Sequence, residues 1–286
     1  MATHLVGIIG SGVMGRGIAQ ALAQTDHRVV LVDESQAQLS AAEREIPKNF
    51  RLHTLLSKTK PAQSVDECLR RITFTNDHKQ LRSVDFVIEN VTESWEIKRP
   101  LYEMIDEICP ADTPFGVNTS AISITRIASV TRRAPRIVGM HFMNPAPLMP
   151  VVELIRGFHT SNETIDMAMA LVRAMGKDGI LVNDSPGFVT NRVMMLAINE
   201  AAFLLREGVA SVDAVDRLFK TCFGHKMGPF ETADMIGLDT VLRSLEVLYD
   251  SFSDSKYRPC PLLRNMVHAG LYGRKSGEGF YRYDER

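Results

Sequence analysis

Short apolar runs alternate with longer amphipathic stretches over roughly the first 180 residues. Runs beginning at residue 5 and spanning 28–33, 71–75, 84–90, 115–118, 136–142, 151–155 and 179–182 have strand length. Several of them carry apolar residues at successive positions, as strands covered on both faces do. The stretches 35–56, 96–108, 125–130 and 164–175 have helical spacing. Such alternation predicts an α/β domain whose mostly parallel sheet is covered by helices on both sides. From residue 185 the pattern changes. Segments 188–207, 212–222, 232–252 and 262–271 read as helices with no strand between them, which predicts an all-α second domain. The turn-forming DSPG (184–187) marks the boundary, so the domains are expected at 1–184 and 185–286. The glycine-rich tail 272–281 carries aromatic residues and is expected to fold back onto the protein.

The first strand runs into GIIGSGVMG (7–15). Gly10 would permit a sharp turn, Gly12 would let backbone approach a pyrophosphate, and Gly15 would let the following helix pack closely on the sheet. Ser11, Val13 and Met14 complete the turn and the first helical residues, whose free N–H groups and dipole suit phosphates. The second strand ends in Asp33, at the distance where a carboxylate accepts hydrogen bonds from both ribose hydroxyls and repels a 2′-phosphate. Strand, glycine turn, helix, strand and acid together predict a Rossmann-type domain that binds NAD rather than NADP.

Composition narrows the partners. The chain of 286 residues is 45% hydrophobic and 23% charged, with a net charge of −1, so no bulk basic field argues for nucleic acid or an anionic membrane. No apolar run is long enough to span a bilayer. A first strand at residue 5 leaves no room for a secretory leader. Cys68, Cys109, Cys222 and Cys260 are scattered without metal-ligand spacing and read as reduced thiols of a cytoplasmic protein.

An enzyme that removes hydride from an alcohol carbon needs a base for the hydroxyl proton. His141 closes the sixth strand and enters the proline-rich loop 144–150, and strand C-terminal ends are where open α/β sheets carry their sites. Glu153 stands between Val152 and Leu154 on the next strand, where an unpaired acid would be costly. If the chain reverses around Pro147, the two side chains face each other. Ser120 follows the fifth strand and suits either a hydrogen bond to a substrate oxygen or a helix cap. Asn191, near the start of the second domain, suits a contact across a cleft or ordinary capping. Glu93 and Lys98 follow the fourth strand; they suit ribose and phosphate, although such a pair alone is more commonly a solvated surface pair.

These motifs resemble the 3-hydroxyacyl-CoA dehydrogenase family, and within it the short bacterial 3-hydroxybutyryl-CoA branch. The resemblance runs nearly end to end through GIIGSGVMGRGIAQ (7–20), NTSAISIT (118–125), GMHFMNPAP (139–147), VVELIRG (151–157), DSPGFVTNR (184–192), MGPFETADMIGLD (227–239), SKYRPCPLL (255–263) and GRKSGEGFYRY (273–283). It implies His141 as catalytic base, Glu153 as its dyad partner, and Ser120 and Asn191 around the reacting oxygen. It implies Glu93, Lys98, Ser120, Asn144 and Lys275 in the NAD site, and a helical domain that closes the substrate cleft and forms a homodimer. The implied reaction interconverts the (S)-3-hydroxyl of an acyl thioester and the 3-ketone. Two departures bear on the carrier. Pro150 stands where the family commonly has lysine, and 35–70 matches poorly where the family meets CoA. Lys48, Arg51, Lys58 and Lys60 suit CoA phosphates or a solvated helix face equally. An acyl-CoA and an acyl group on a carrier protein both remain open as substrates, and a non-catalytic dinucleotide-binding protein is the alternative from another class.

Overall fold

The strand-length apolar runs pair into one eight-stranded sheet in a computed structural model that describes residues 5–56 and 63–283. In chain order the first unit contains β1 (Leu5–Ile9), α1 (Val13–Ala23), β2 (Arg28–Val32), α2 (Gln36–Leu56), α3 (Val65–Arg70), β3 (Ile72–Thr75), β4 (Phe86–Glu89), α4 (Trp95–Ile108), β5 (Phe115–Val117), α5 (Ile124–Ala128), β6 (Ile137–Phe142), β7 (Val151–Arg156), α6 (Asn162–Ala174) and β8 (Asp178–Asn183). The sheet order is β3-β2-β1-β4-β5-β6-β7-β8. Strands β1 to β6 are parallel; β7 turns back antiparallel to β6, and β8 runs parallel to β7.

Burial explains why these runs became central strands. All six residues of β6 and all four of β4 are buried, as are four of the five in β1 and in β2. Helices such as α1 contribute Ile18 and Leu22 to the same core, against Val6, Ile8 and Leu31. β8 lies at the sheet edge and leaves Ile180 half exposed. The chain winds outward from β1 through β2 to β3, then returns to place β4 on the other side of β1. That reversal opens a crevice at the carboxyl ends of β1 and β4, the usual site position in such sheets.

The chain divides into two compact units, Met1–Ser185 and Pro186–Arg286. The second contains α7 (Thr190–Arg206), α8 (Val212–Phe223), α9 (Pro229–Ile236), α10 (Leu238–Phe252) and α11 (Pro261–His268). Its core gathers Met195, Ile198, Val241, Leu245, Tyr257 and Leu263. The single helix expected over 232–252 is two helices, because Gly237 adopts φ +102° and breaks the run. The tail folds back as expected: Asp234 accepts hydrogen bonds from the backbone N–H groups of Phe280 and Tyr281 and from the Tyr283 hydroxyl. Among the described residues no helix is long and apolar enough to cross a membrane.

Candidate active site

The three glycines of the first turn have three different reasons to be glycine. Gly10 sits at φ +88°, where a side chain is strained, and a Cβ there would also press on the Asn90 carbonyl at 2.8 Å. A Cβ on Gly15 would lie 1.7 Å from the Gly10 carbonyl oxygen, which is impossible without moving the turn. At Gly12 a Cβ would meet nothing within 4 Å. Nothing in the described protein requires glycine at residue 12, whereas a group seated on the turn does. The helix that follows starts with no side-chain cap and no acid in its first turn. Open space, uncapped N–H groups and a positive dipole end are the features of a pyrophosphate cradle, so the residues present fit a dinucleotide.

That cradle floors a cleft of about 500 Å³. Asp33, Glu34, Gln38 and His78 line it together with the apolar Val91, Ile97, Pro100 and Met104. Asp33 is already engaged. Its Oδ2 accepts hydrogen bonds from the Ser11 backbone N–H (2.7 Å) and hydroxyl (2.9 Å), and its Oδ1 accepts one from the Ser35 N–H (2.9 Å). Ser11 is wholly buried and serves this latch.

A second constellation lies at the ends of β5, β6 and β7. His141 and Glu153 are direct partners in the antiparallel β6–β7 register. His141 Nδ1 stands 3.0 Å from Glu153 Oε2, and Nε2 stands 3.1 Å from the Ser120 hydroxyl. Both His141 and Glu153 are about 95% buried, at 5% and 4% exposure. An ionised Glu153 could only accept, which would put the proton on Nδ1 and turn the Nε2 lone pair toward Ser120.

Glu93 holds the Ser120 loop. Its Oε1 accepts from the Thr119 hydroxyl and from the backbone N–H groups of Ser120 (3.2 Å), Ala121 (3.0 Å) and Ile122 (3.3 Å). Lys98 is not a surface residue: its side chain is fully buried. Its Nζ donates to both Glu89 oxygens at 2.7 Å and to the Asn118 carbonyl at 3.3 Å, with Glu93 Oε2 at 4.0 Å. Glu89 also accepts from the Tyr102 hydroxyl and the Val91 N–H. Burial pushes the Glu89 carboxyl upward; the Lys98 ammonium, the Tyr102 hydroxyl and the Val91 N–H pull against it. The Asn118 side chain donates to Asn90 and accepts from the Phe142 N–H, next to His141. Glu89, Asn90 and Asn118 were not singled out from sequence, although an acid ending the apolar run FVIE (86–89) carried the same signal as Glu153.

Asn144, in the β6–β7 loop, is exposed and has no hydrogen-bond partner among the described residues. Lys48 pairs with Glu45 on the exposed side of α2. Lys58 and Lys60 lie outside the described residues. Asn191 begins α7 and Lys275 pairs with Asp239, both within the second unit. Beside Pro150 the amine comes from Lys177, which donates to the Met149 carbonyl at 2.7 Å and is pushed down to about 8 by burial.

The glycine turn separates two expected outcomes. Gly12→Ala should fold with Tm within about 3 °C of the parent yet lose NADH affinity by about tenfold or more. Gly15→Ala should lower Tm sharply. Unchanged NADH affinity in Gly12→Ala, measured by fluorescence titration, would remove the pyrophosphate from this turn.

Fold and cleft define a dinucleotide-binding α/β protein with a separate helical unit. Two family descriptions cover almost the whole chain: 3-hydroxyacyl-CoA dehydrogenase, NAD binding domain, over residues 5–185, and the C-terminal domain of the same family over 187–283. The chain belongs to the 3-hydroxyacyl-CoA dehydrogenase family, and its cofactor is NAD. A probable 3-hydroxybutyryl-CoA dehydrogenase of Bacillus subtilis is 44% identical over 98% of this chain and 97% of its own. The crystal structure of an (S)-3-hydroxybutyryl-CoA dehydrogenase from Ralstonia eutropha has a TM-score of 0.93 at 44% identity, covering 99% of this chain and 100% of that one. A diketoreductase described as acting on dicarbonyl compounds matches with a TM-score of 0.87 at 27% identity, covering 99% and 100%.

Proposed function

We propose that this chain is a short-chain (S)-3-hydroxyacyl-CoA dehydrogenase in which the Glu153–His141–Ser120 line handles the proton. The observation that carries the reading is His141 held by a buried carboxylate at Nδ1, with Nε2 turned to the Ser120 hydroxyl. NAD, when bound, supplies the acceptor for the hydride leaving C3 of the substrate. The turn at Gly10, Gly12 and Gly15, with the N–H groups of Val13 and Met14, would hold its pyrophosphate, and the Asp33 end of the cleft its adenosine.

His141 Nε2 takes the proton of the C3 hydroxyl as the C3–H bond breaks. The imidazolium so formed keeps its Nδ1–H on Glu153, whose charge stabilises it. In the reverse direction Nε2 returns the proton to the ketone oxygen. Ser120 donates its hydroxyl toward the reacting oxygen, and Glu93 holds the Ser120 loop in place. The same proposal, supported by the family resemblance alone, makes Asn191 a further donor, sets Lys275 and Asn144 at the cofactor, and gives the helical domain expected at 185–286 the cleft-closing and dimer-forming roles.

The acyl carrier is CoA in this reading, because relatives named for CoA thioesters align over nearly the whole chain. The test is kcat/KM with NADH for acetoacetyl-CoA against the same acyl group on an acyl carrier protein. The CoA ester should be preferred. A carrier-protein preference of about a hundredfold, about 2.7 kcal/mol of transition-state discrimination, would assign the enzyme to carrier-bound substrates while leaving the proton chemistry intact.

A further inference from the structure

The parallel strands β1 to β6 are joined by helices except at one place: β3 reaches β4 through a short 3₁₀ turn, His78–Ser83. Leu5, Gly7, Arg28, Val30 and Thr73 share the sheet face over which this turn lies, because β1 pairs Leu5 with Arg28 and Gly7 with Val30, and β3 pairs Thr73 with Val30. Leu81 of the turn covers Gly7, where a Cβ would lie 2.5 Å from its Cδ2. Arg28 and Thr73 stay exposed, and the strand ends here floor a pocket of about 270 Å³. Its charged lining is entirely basic. Arg28 comes from the start of β2, Arg70 and Arg71 from the end of α3. Arg71 is engaged, donating to the Ala23 carbonyl at 2.9 Å and pairing with Asp26. Arg28, Arg70 and the Thr73 hydroxyl make no hydrogen bond or ion pair among the described residues. Among those residues no aspartate or glutamate lines the pocket. Of the acids on the flanking segments, Glu67 accepts from Ser64 and Asp85 from the Leu5 N–H.

We infer that this pocket is a second anion site, for a small oxyanion of the phosphate class, bound by Arg28 and Arg70 with the Thr73 hydroxyl as a neutral donor. Each guanidinium offers paired N–H donors that match two oxygens of one phosphate. Two such cations lining one pocket without a carboxylate repel each other, and an anion between them turns that repulsion into attraction. The site is separate from the dinucleotide cleft. It lies at the amino ends of β1 and β2, whereas the glycine turn and Asp33 follow their carboxyl ends. At about half the volume of that cleft it suits a free phosphate or a short phosphate monoester rather than a dinucleotide.

The experiment is a phosphorus NMR titration of inorganic phosphate, and separately of glycerol phosphate, into the protein saturated with NAD at constant ionic strength, so that the glycine turn is already filled. The parent should show saturable binding. Arg28→Ala and Arg70→Ala should each weaken it by about tenfold or more, the worth of a hydrogen bond to a charged group. Arg82→Ala removes an exposed arginine of the same 3₁₀ turn that does not line the pocket, and should change the affinity by less than about twofold. Turnover of acetoacetyl-CoA should stay within about twofold of the parent in all three variants, since none of these arginines lines the cofactor cleft or touches the His141 group. Tighter binding of glycerol phosphate would assign the site to phosphate monoesters, and tighter binding of the free ion to inorganic phosphate; either supports the inference. No saturable binding of either probe to the parent, or a loss in Arg82→Ala as large as in Arg28→Ala and Arg70→Ala, would overturn it.

Discussion

His141→Ala is expected to lose kcat by about 10²–10⁴-fold, the usual worth of a positioned general base, while NADH binds as before. The imidazole reaches Ser120 on one side and Glu153 on the other, and it does not line the cofactor cleft. Its removal therefore takes away the proton acceptor and leaves the cofactor's contacts alone. It also leaves Glu153 as a buried acid without this partner, so some loss of stability should accompany the loss of turnover. Steady-state kinetics with acetoacetyl-CoA and an NADH titration on the same preparation separate the two. Near-parental kcat would take His141 out of the mechanism.

Lys98→Met should be the most destabilising of the substitutions considered. It leaves Glu89, fully buried and still held by Tyr102 and Val91, without its ammonium. Breaking a buried pair from one side costs about 3–5 kcal/mol, which for a unit of this size lowers Tm on the order of 10 °C. The double variant Glu89→Gln with Lys98→Met should recover a large part of that loss, because no uncompensated charge remains inside. Thermal unfolding of the single and double variants forms the cycle. A double variant as unstable as Lys98→Met alone would mean that the contact with the Asn118 carbonyl, not the charge of Glu89, is what Lys98 supplies.

How much of this was legible in the sequence varied by residue. His141 and Glu153 were readable together because an acid between valine and leucine on a strand demands a partner, and the return of the chain around Pro147 supplies one in register. The same reasoning applies to Glu89, yet its partner lies nine residues on, across a loop that periodicity does not resolve. Lys98, taken with Glu93 alone, read more commonly as part of a solvated pair, and only the family resemblance put it in the NAD site. The helix itself argued otherwise: Lys98, Leu101, Tyr102 and Ile105 share the i, i+3, i+4, i+7 face that α4 buries. The break at Gly237 was missed because apolar spacing continues through it, and only the backbone conformation of that glycine shows the end of one helix and the start of the next. Asp33 stands where the nucleotide motif requires an acid, but its engagement with Ser11 depends on side-chain direction, which spacing does not carry.

The most direct test of the proton line is kcat for oxidation of 3-hydroxybutyryl-CoA by NAD in the Glu153→Gln variant, with an NADH titration on the same preparation. Glutamine keeps the shape of Glu153 but not the charge that stabilises the imidazolium formed as His141 takes the hydroxyl proton. A lower kcat with NADH affinity unchanged is the expected result. A kcat indistinguishable from that of the parent enzyme would contradict a role for the Glu153–His141 pair in the reaction.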